Sequence, residues 1–480
     1  MPLQNVYRLP IVLICIVILL FSIYCVYIYY QEKPELNMPL PALPAISDRT
    51  RLLVIAPHCD DETLGCAGII QEVIGAGGKV RVVAMTNGDG FTIAVKEQLH
   101  RLFLTSTDYI QSGYGRQNEF LHALRCLGVN ESQVVFLGYP DRGLWALWSD
   151  HWENNNPYQS RYTRQDHSPY TNSFRTGAPY AGEAVMSDLE KIIGEFKPTI
   201  ILSPHPVDEH LDHAATWAFV AAAMTKINIG RLHSKSQLYT YLVHRGDFPI
   251  PHGYKPEEML LPPKPLYQMN HQNRPWQIYT LTSQQLSGKQ QALNEYVSQL
   301  QVPIMSSLLR SFIRKNELFE QAVIPVSVVK SPGVDLTVLK EWKQQAPVLV
   351  HPRGVSILGA LERKAKIATI DSTVQGTSLW LHLHIPDFSK KENQYHLLLL
   401  DFYDSTGTSR REKRTFHFSL ANTDILPDNI MRFPNDVIIK IPYSGRELPD
   451  YLFFQVATKD RFGATIDTTS WQPLRVKTES

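Results

Sequence analysis

Residues 51 to 65 read RLLVIAPHCDDETLG, and the rest of the chain can be placed relative to them. Arg51 to Ala56 is a short apolar run rich in branched residues, which predicts a buried strand of a parallel sheet. It runs directly into Pro57-His58-Cys59-Asp60-Asp61-Glu62, one imidazole and three carboxylates in a tight polar cluster. Helical spacing follows at Leu64, Ala67, Ile70, Val73 and Ile74. Open α/β sheets carry their chemistry at the carboxyl ends of strands, which is where this cluster falls. Crowded carboxylates repel one another, and a bound cation is the commonest reason for keeping them together.

A second cluster is placed in the same way. Thr199 to Leu202 is apolar and strand-like, and Ser203-Pro-His-Pro-Val-Asp-Glu-His-Leu-Asp-His213 follows it, ahead of another helical pattern. Catalytic zinc sites usually take three protein ligands and leave one position to water. His58 and Asp61 offer two ligands, and the second cluster offers a third. One acidic turn alone is more often a solvated helix start. Two His/Asp clusters, each at a strand-to-helix switch, argue for metal.

From residue 51 onward strand and helix patterns alternate. Strands are expected at 51–56, 79–86, 133–137, 199–202 and 237–243, and helices near 62–74, 116–127, 182–195 and 213–227. This alternation predicts an α/β fold, a Rossmann-like mostly parallel sheet layered by helices. Residues 141 to 181 break the rhythm with a long aromatic insertion (Trp145, Trp148, Trp152, Tyr158, Tyr162, Tyr170), read as sugar-stacking or as loop packing. Helical signal returns over 283–302 and 306–322. After Pro325 the pattern becomes short alternating runs at 378–385, 395–402, 414–420, 437–441 and 451–458, which predicts an all-β, sandwich-like domain. Arg410, Arg411, Lys413 and Arg414 read as a solvated strand edge that discourages pairing.

The two polar clusters resemble the signatures of the LmbE/PIG-L family of zinc-dependent N-deacetylases, HPDDE near the start and HPDH later. Here they stand as His58-Cys-Asp-Asp-Glu62 and His210-Leu-Asp-His213. Thr86-Asn-Gly-Asp-Gly90, Arg116-Gln-Asn-Glu119, Leu137-Gly-Tyr-Pro-Asp141, the stretch Lys289 to Gln299, and Glu317-Leu-Phe319 are also similar to the family, in the same order. The resemblance covers roughly residues 50 to 322 and departs at Cys59, where the family usually has Pro. It implies His58, Asp61 and His213 as metal ligands, Asp60 as general base, and contacts from Arg116 and Asp141 to sugar hydroxyls. The donor set suits Zn2+, with Fe2+ the other candidate.

The residues themselves support some of these roles. Asp60 cannot readily chelate beside Asp61 on one turn, so it is the carboxylate left to accept a proton from water. His210, three residues before His213, can face a substrate carbonyl and stabilise the oxyanion or protonate the leaving amine. Asp212 can accept from an imidazole and hold its tautomer. Glu62 reads equally as helix-capping charge or as chemistry. For Arg116 the structural alternative is an i,i+3 pair with Glu119, and for Asp141 a turn after Pro140. Asp208 and His205 stand near the site, but His205 has no motif assignment and reads as a solvated loop histidine.

The chain has 480 residues, enough for two or three domains. Lys plus Arg number 47 against 46 Asp plus Glu, so no global field recruits nucleic acid. The five cysteines show no CxxC spacing, which argues against a thiolate metal site, and their odd number argues against a disulfide framework. Residues 9 to 30 are almost uninterrupted apolar sequence, expected to cross a membrane as an uncleaved anchor. The weak charge bias puts the catalytic domain on the exoplasmic or periplasmic side. Residues 31 to 48 read as a Pro-rich tether. The expected organisation is an anchor at 1–30, a linker at 31–48, a deacetylase domain at 49–325 and a β domain at 326–480.

The function these readings imply is removal of an N-acetyl group from an N-acetylglucosamine-type sugar in a glycan or glycoconjugate. The rivals are an amidase of another small N-acyl compound and a catalytically silent glycan-binding module. A nucleotide-binding reading is weak, because no GxGxxG follows the first strand.

Overall fold

The computed structural model describes residues 39–230, 236–264, 266–267, 276–328, 348–349, 367, 369–385, 394–404, 409–419, 429–443, 445–459 and 465–477, with short pieces between 15 and 23. At its centre is β1 (Arg51–Ala56), flanked by two parallel neighbours, β2 (Lys79–Thr86) and β4 (Ile200–Pro204). With β3 (Val134–Tyr139), β5 (Gln237–Tyr241), β6 (Trp276–Thr280) and β7 (Asn316–Gln321), the sheet runs in the order β3-β2-β1-β4-β5-β7-β6. The first five strands are parallel, and the last two add antiparallel pairs.

Side chains alternate across a strand, so β1 buries both faces. Leu52 and Val54 enter one core with Ile70 and Val73 of α1 (Asp61–Gly75). Leu53 and Ile55 enter the other, with Leu189 and Ile193 of the later helix Gly182–Phe196. That two-sided burial is why β1 reads as unbroken apolar sequence. The strand order reverses between β1 and β4, and α/β folds leave a crevice for ligands at such a switch point.

Helices pack against the sheet through residue 230 and beyond. After α1 come α2 (Thr92–Leu99), α3 (Ser106–Cys126), α4 (Leu144–Ser149), α5 (Gly182–Phe196) and α6 (Leu211–Gly230). Then follow α7 (Ser283–Asn294), the short α8 (Val297–Leu300) and α9 (Pro303–Arg310). Helix α3 starts ten residues before the expected position, because Thr105 and Asp108 form a capping box ahead of its apolar pattern.

The expected helix over 306–322 is corrected: α9 ends at Arg310 and β7 begins at Asn316. Two carboxylates of β7 are buried against remote partners, Glu317 with Lys289 and Glu320 with His205. No local pattern announces such pairing. His205 is likewise buried and stacked on Trp276, rather than solvated.

The expected membrane-spanning helix over 9–30 is also corrected. Among the described residues no helix is long and apolar enough to cross a membrane. Most of 9–30 lies outside the described residues. The single-pass localisation, read from that apolar run, and the exoplasmic or periplasmic placement, read from its flanking charges, are corrected with it. Part of the stretch read as a free tether lies on the sheet edge instead. Leu43 N–H donates to Ile278 O, Ile278 N–H donates to Pro41 O, and Leu40, Leu43 and Ile46 pack on the core.

The C-terminal residues form two further sheets. One has the order β14-β15-β11-β10-β9 and contains β9 (Val348–Leu349), β10 (Thr369–Gln375), β11 (Ser378–His384), β14 (Ile430–Arg432) and β15 (Asp436–Pro442). The other has the order β13-β12-β16-β18-β8. It contains β8 (Val326–Val328), β12 (Gln394–Tyr403), β13 (Arg410–Ser419), β16 (Tyr451–Lys459) and β18 (Gln472–Lys477), with β17 (Thr465–Thr468) on β16. Leu379, Leu381 and Leu383 face Leu397, Leu399, Phe454 and Val456 between the sheets. The opposite face of the second sheet packs Leu400, Phe402, Tyr451 and Phe453 onto α4 and α6.

Candidate metal centre

The turn after β1 is held from β2: Thr86 N–H and Thr86 Oγ1 both donate to Pro57 O, at 3.0 and 2.9 Å. This carries His58, Asp60, Asp61 and Glu62 into the crevice, all buried. His58 N–H donates to Asp61 Oδ2 at 3.0 Å, so strand end and helix start fix each other. Across the switch point, the turn after β4 supplies Asp208 and His210, and the first turn of α6 supplies Asp212 and His213.

Three atoms meet at the centre. Asp61 Oδ2 lies 3.2 Å from His58 Nδ1 and 3.2 Å from His213 Nε2, and the two nitrogens are 3.3 Å apart. Ligands about 2.0–2.1 Å from a tetrahedral ion stand about 3.3 Å from one another, so this triangle has the size of three zinc ligands. Asp61 Oδ1 is buried with no hydrogen-bond partner among the described residues, a polar atom in want of a cation. Burial would raise Asp61, but the imidazoles of His213 and His58 hold it well below the usual carboxylate range. The residues fit a metal ion.

Each imidazole is oriented from behind. His213 Nδ1 donates to Asp208 Oδ2 at 3.0 Å, and Asp208 also accepts from the N–H groups of Val243, His244 and His210. His58 Nε2 faces Asp212 Oδ2 at 3.3 Å and Asp141 Oδ1 at 3.4 Å. Asp212 accepts from Arg142 N–H at 2.5 Å and Leu144 N–H at 3.1 Å, and Asp141 accepts from Gly90 N–H at 2.7 Å. Carboxylate–histidine pairs of this kind set the tautomer and raise ligand basicity. Burial opposes protonation of His213, but Asp208 and Asp61 outweigh it and push the ring up to about 9. A cation in the triangle would compete with that proton.

Asp60 lies in the same pocket. Its Oδ2 accepts from Arg116 Nη2 at 3.0 Å; Nη2 also donates to Cys59 O, and Nη1 donates to Gly88 O, each at 2.9 Å. Burial raises the Asp60 carboxyl and the Arg116 charge opposes the rise. Thus Arg116 and Asp141, expected at sugar hydroxyls, both line the pocket while holding groups of the site. The alternative pairing of Arg116 with Glu119 is not formed, because Glu119 accepts from Ser298. Cys59 is buried and its thiol donates to Thr86 O at 3.8 Å.

His210 Nδ1 accepts from Asp212 N–H at 3.3 Å, so the neutral ring carries its proton on Nε2. Burial, then the neighbouring His58 and His213, keep His210 well below its ordinary pKa. A neutral ring with a fixed donor suits an oxyanion. Glu62 is sealed beneath the site, accepting from Tyr296 and from Thr63 Oγ1, and burial pushes it up to about 8. Behind it, Lys289 Nζ donates to Leu64 O and Glu317, while Glu317 accepts from the N–H groups of Gly68 and Ile69. This buried pair pins the start of α1.

The pocket over the triangle has a volume of about 160 Å³. Its polar floor is His58, Asp60, Asp61 and His210; Phe91, Met305 and Leu308 form apolar wall. Asp208, His244, Arg142 and Tyr296 were not assigned roles from sequence. Their signal was position: His244 stands just past β5, and Asp208 stands five residues before His213. The aromatic insertion is chiefly packing. Trp148 and Trp152 face the C-terminal sheet, and Tyr170 donates to Asp89 Oδ2 at 2.5 Å, where burial lifts Asp89 to about 7.

A mixed α/β sheet with a His/Asp triangle at its switch point defines a protein built around a candidate metal centre. Residues 53–224 match the family described as PIG-L: GlcNAc-PI de-N-acetylase, so the chain carries a PIG-L (LmbE-like) deacetylase-family domain. The chain is 31% identical over 180 residues to the 1D-myo-inositol 2-acetamido-2-deoxy-alpha-D-glucopyranoside deacetylase of Mycobacterium sp. (strain KMS), covering 37% of this chain and 50% of that protein. The protein of the same name from strain JLS matches equally. The chain thus spans about half the length of the curated relatives it matches. Among solved structures, the A40926 pseudoaglycone deacetylase Dbv21 is similar at 19% identity and a TM-score of 0.35, covering 57% of this chain and 98% of that one. The N,N'-diacetylchitobiose deacetylase from Pyrococcus horikoshii is similar at 18% identity and a TM-score of 0.34, covering 56% and 83%.

Proposed function

We propose that the chain is a metal-dependent N-deacetylase acting on an N-acetylglucosamine-type sugar in a glycan or glycoconjugate, with residues 49–325 as its catalytic domain and 326–480 as a β domain. The observation that carries this reading is the triangle of His58, Asp61 and His213 with a buried, non-ligating Asp60 in the same pocket. His58, Asp61 and His213 would hold Zn2+ or Fe2+. Such an ion supplies Lewis acidity, activating water at neutral pH and polarising an amide carbonyl.

The remaining work falls to side chains. Asp60, steadied by Arg116, accepts the proton of the attacking water. The water oxygen bonds to the acetyl carbon, and His210 donates Nε2–H to the developing oxyanion. As the C–N bond breaks, the proton passes to the leaving amine, giving acetate and a free amino sugar. Asp208, Asp212 and Asp141 hold the imidazoles in the tautomers this requires. The names of the curated relatives, both sugar N-acetyl deacetylases, support the substrate class.

The test is release of acetate and free amine from N-acetylglucosamine, its oligomers and its glycoconjugates by the purified chain, with chelator and with zinc or iron restored. Chelator-sensitive release restored by metal is expected. Release only from other small N-acyl compounds would make the chain an amidase of that class. Metal binding with no release from any of them would leave a glycan-binding role.

A further inference from the structure

The basic cluster on β13, expected at a solvated edge, lies at the seam between the two halves of the molecule. Arg411 Nη1 donates to Trp148 O, a carbonyl in the last turn of α4, and the guanidinium sits 4.5 Å over the Trp152 ring. Lys413 Nζ is 2.6 Å from Asp150 Oδ1, just past the same helix end. Burial lowers the Arg411 pKa to about 10, the mark of a cation drawn out of water. The last carbonyls of a helix have no partner within it and favour a cation. Trp148 itself is fully buried, stacked on Phe402 at 5.8 Å and edge-on to Phe453 at 4.9 Å and Trp471 at 6.0 Å. One end of α4 is therefore held by the C-terminal sheet.

The other end of α4 is held by the candidate metal centre. Arg142 N–H and Leu144 N–H donate to Asp212, and Asp212 Oδ2 faces His58 Nε2. Arg142 adopts a left-handed backbone, φ 59°, a conformation that persists only where its surroundings enforce it. A helix of six residues, about 9 Å long, has no stability of its own. Both of its ends must be fastened from outside, and a shift at one is passed to the other.

We propose that Arg411 is a positioning residue for the metal centre: through α4 it seats the Arg142–Leu144 turn on Asp212 and thereby sets the His58 ring. The β domain then belongs to the construction of the site rather than being an appended binding module. This rests on the ligand set proposed above.

The experiment is a double-mutant cycle in the full chain, reading the zinc dissociation constant by competition with a chromophoric chelator. Arg411→Met is expected to weaken zinc about three- to tenfold, less than the 10–100-fold typical of a residue bonded directly to a ligand. In an Asp212→Asn background the same change should have no further effect beyond about twofold, because the route is already cut. Arg411→Lys, which keeps the charge and stem, should recover part of the affinity. If Arg411→Met does not fold, Arg411→Lys against wild type is carried through the same cycle. A folded Arg411 variant with wild-type zinc affinity overturns the proposal, and so does an undiminished loss in the Asp212→Asn background, which a merely structural role would produce. Zinc binding is read without turnover. A wild-type chain that binds zinc but releases no amine overturns the deacetylase reading alone; one that binds no zinc overturns the ligand set and this proposal with it.

Discussion

At the carboxyl ends of β1 and β4, and again on the outer face of β11, the chain brings two imidazoles together with carboxylates. In the first place, three atoms on three residues converge within 3.2 to 3.3 Å, and each imidazole is held from behind by a carboxylate that backbone N–H groups hold in turn. In the second, strand alternation puts His382 and His384 on one face, where both rings bond the same oxygen, Asp436 Oδ1, at 2.8 and 2.9 Å. His382 Nδ1 also faces Asp371 Oδ2 at 3.4 Å, and the His384 side chain is 39% exposed. The second group is a set of hydrogen bonds that share one carboxylate oxygen. Composition is nearly the same in the two places; convergence and a second layer of donors are what differ.

Each side of that contrast can be broken. His213→Ala removes one vertex of the triangle, and zinc content should fall from about one per chain to below about a tenth, with turnover lost alongside. Metal analysis of the purified variant checks this; full occupancy would remove His213 from the ligand set. Asp60→Asn keeps all three vertices, so zinc content should hold while kcat falls about 10²–10⁴-fold. A fully active variant would mean that another group takes the proton.

Asp208→Asn tests the second layer. It should weaken zinc about 10–100-fold by loosening His213, whereas Asp436→Asn on the outer face should leave zinc affinity alone. Equal effects of the two changes, measured by chelator competition, would erase the distinction drawn here.

The smallest effect belongs to His382. Burial works against its charged form, but Asp371 and Asp436 outweigh that and raise its pKa above the ordinary value. The folded state therefore holds this proton more tightly than the unfolded state. The resulting stability is complete below the unfolded pKa of about 6.5 and is lost as pH rises through the folded value. Wild type should exceed His382→Gln at about pH 5.5 by more than at about pH 9, with a difference under about 1 kcal/mol. Urea midpoints at the two pH values read it, and an unchanged difference would show that the pair is not linked to protonation.

Much of the α/β core was legible because its signals are local. The run from Leu52 to Ala56 is apolar throughout since both faces are covered, and the 3.6-residue spacing of α5 follows from one covered face. β6 and β7 were not legible. The carboxylates of β7 are neutralised by partners elsewhere in the chain, Lys289 for Glu317 and His205 for Glu320, and local patterning cannot see such pairs. The apolar run at 9–30 was overread for a related reason: hydropathy ranks a segment without saying what surrounds it.

The same division runs through the site. Residue order alone determined that His58, Asp60 and Asp61 stand together after one strand and His210, Asp212 and His213 after another, because these are neighbours along the backbone. Only the tertiary structure decided that the two groups face each other, since β1 and β4 are adjacent in the sheet yet separated by about 150 residues. It also decided that Arg116 clasps Asp60, that Asp208 backs His213, and that Arg411 reaches α4 from the β domain. Such contacts pair groups whose mutual distance depends on the packing of whole layers, and burial supplies the need for a partner without naming which residue will meet it.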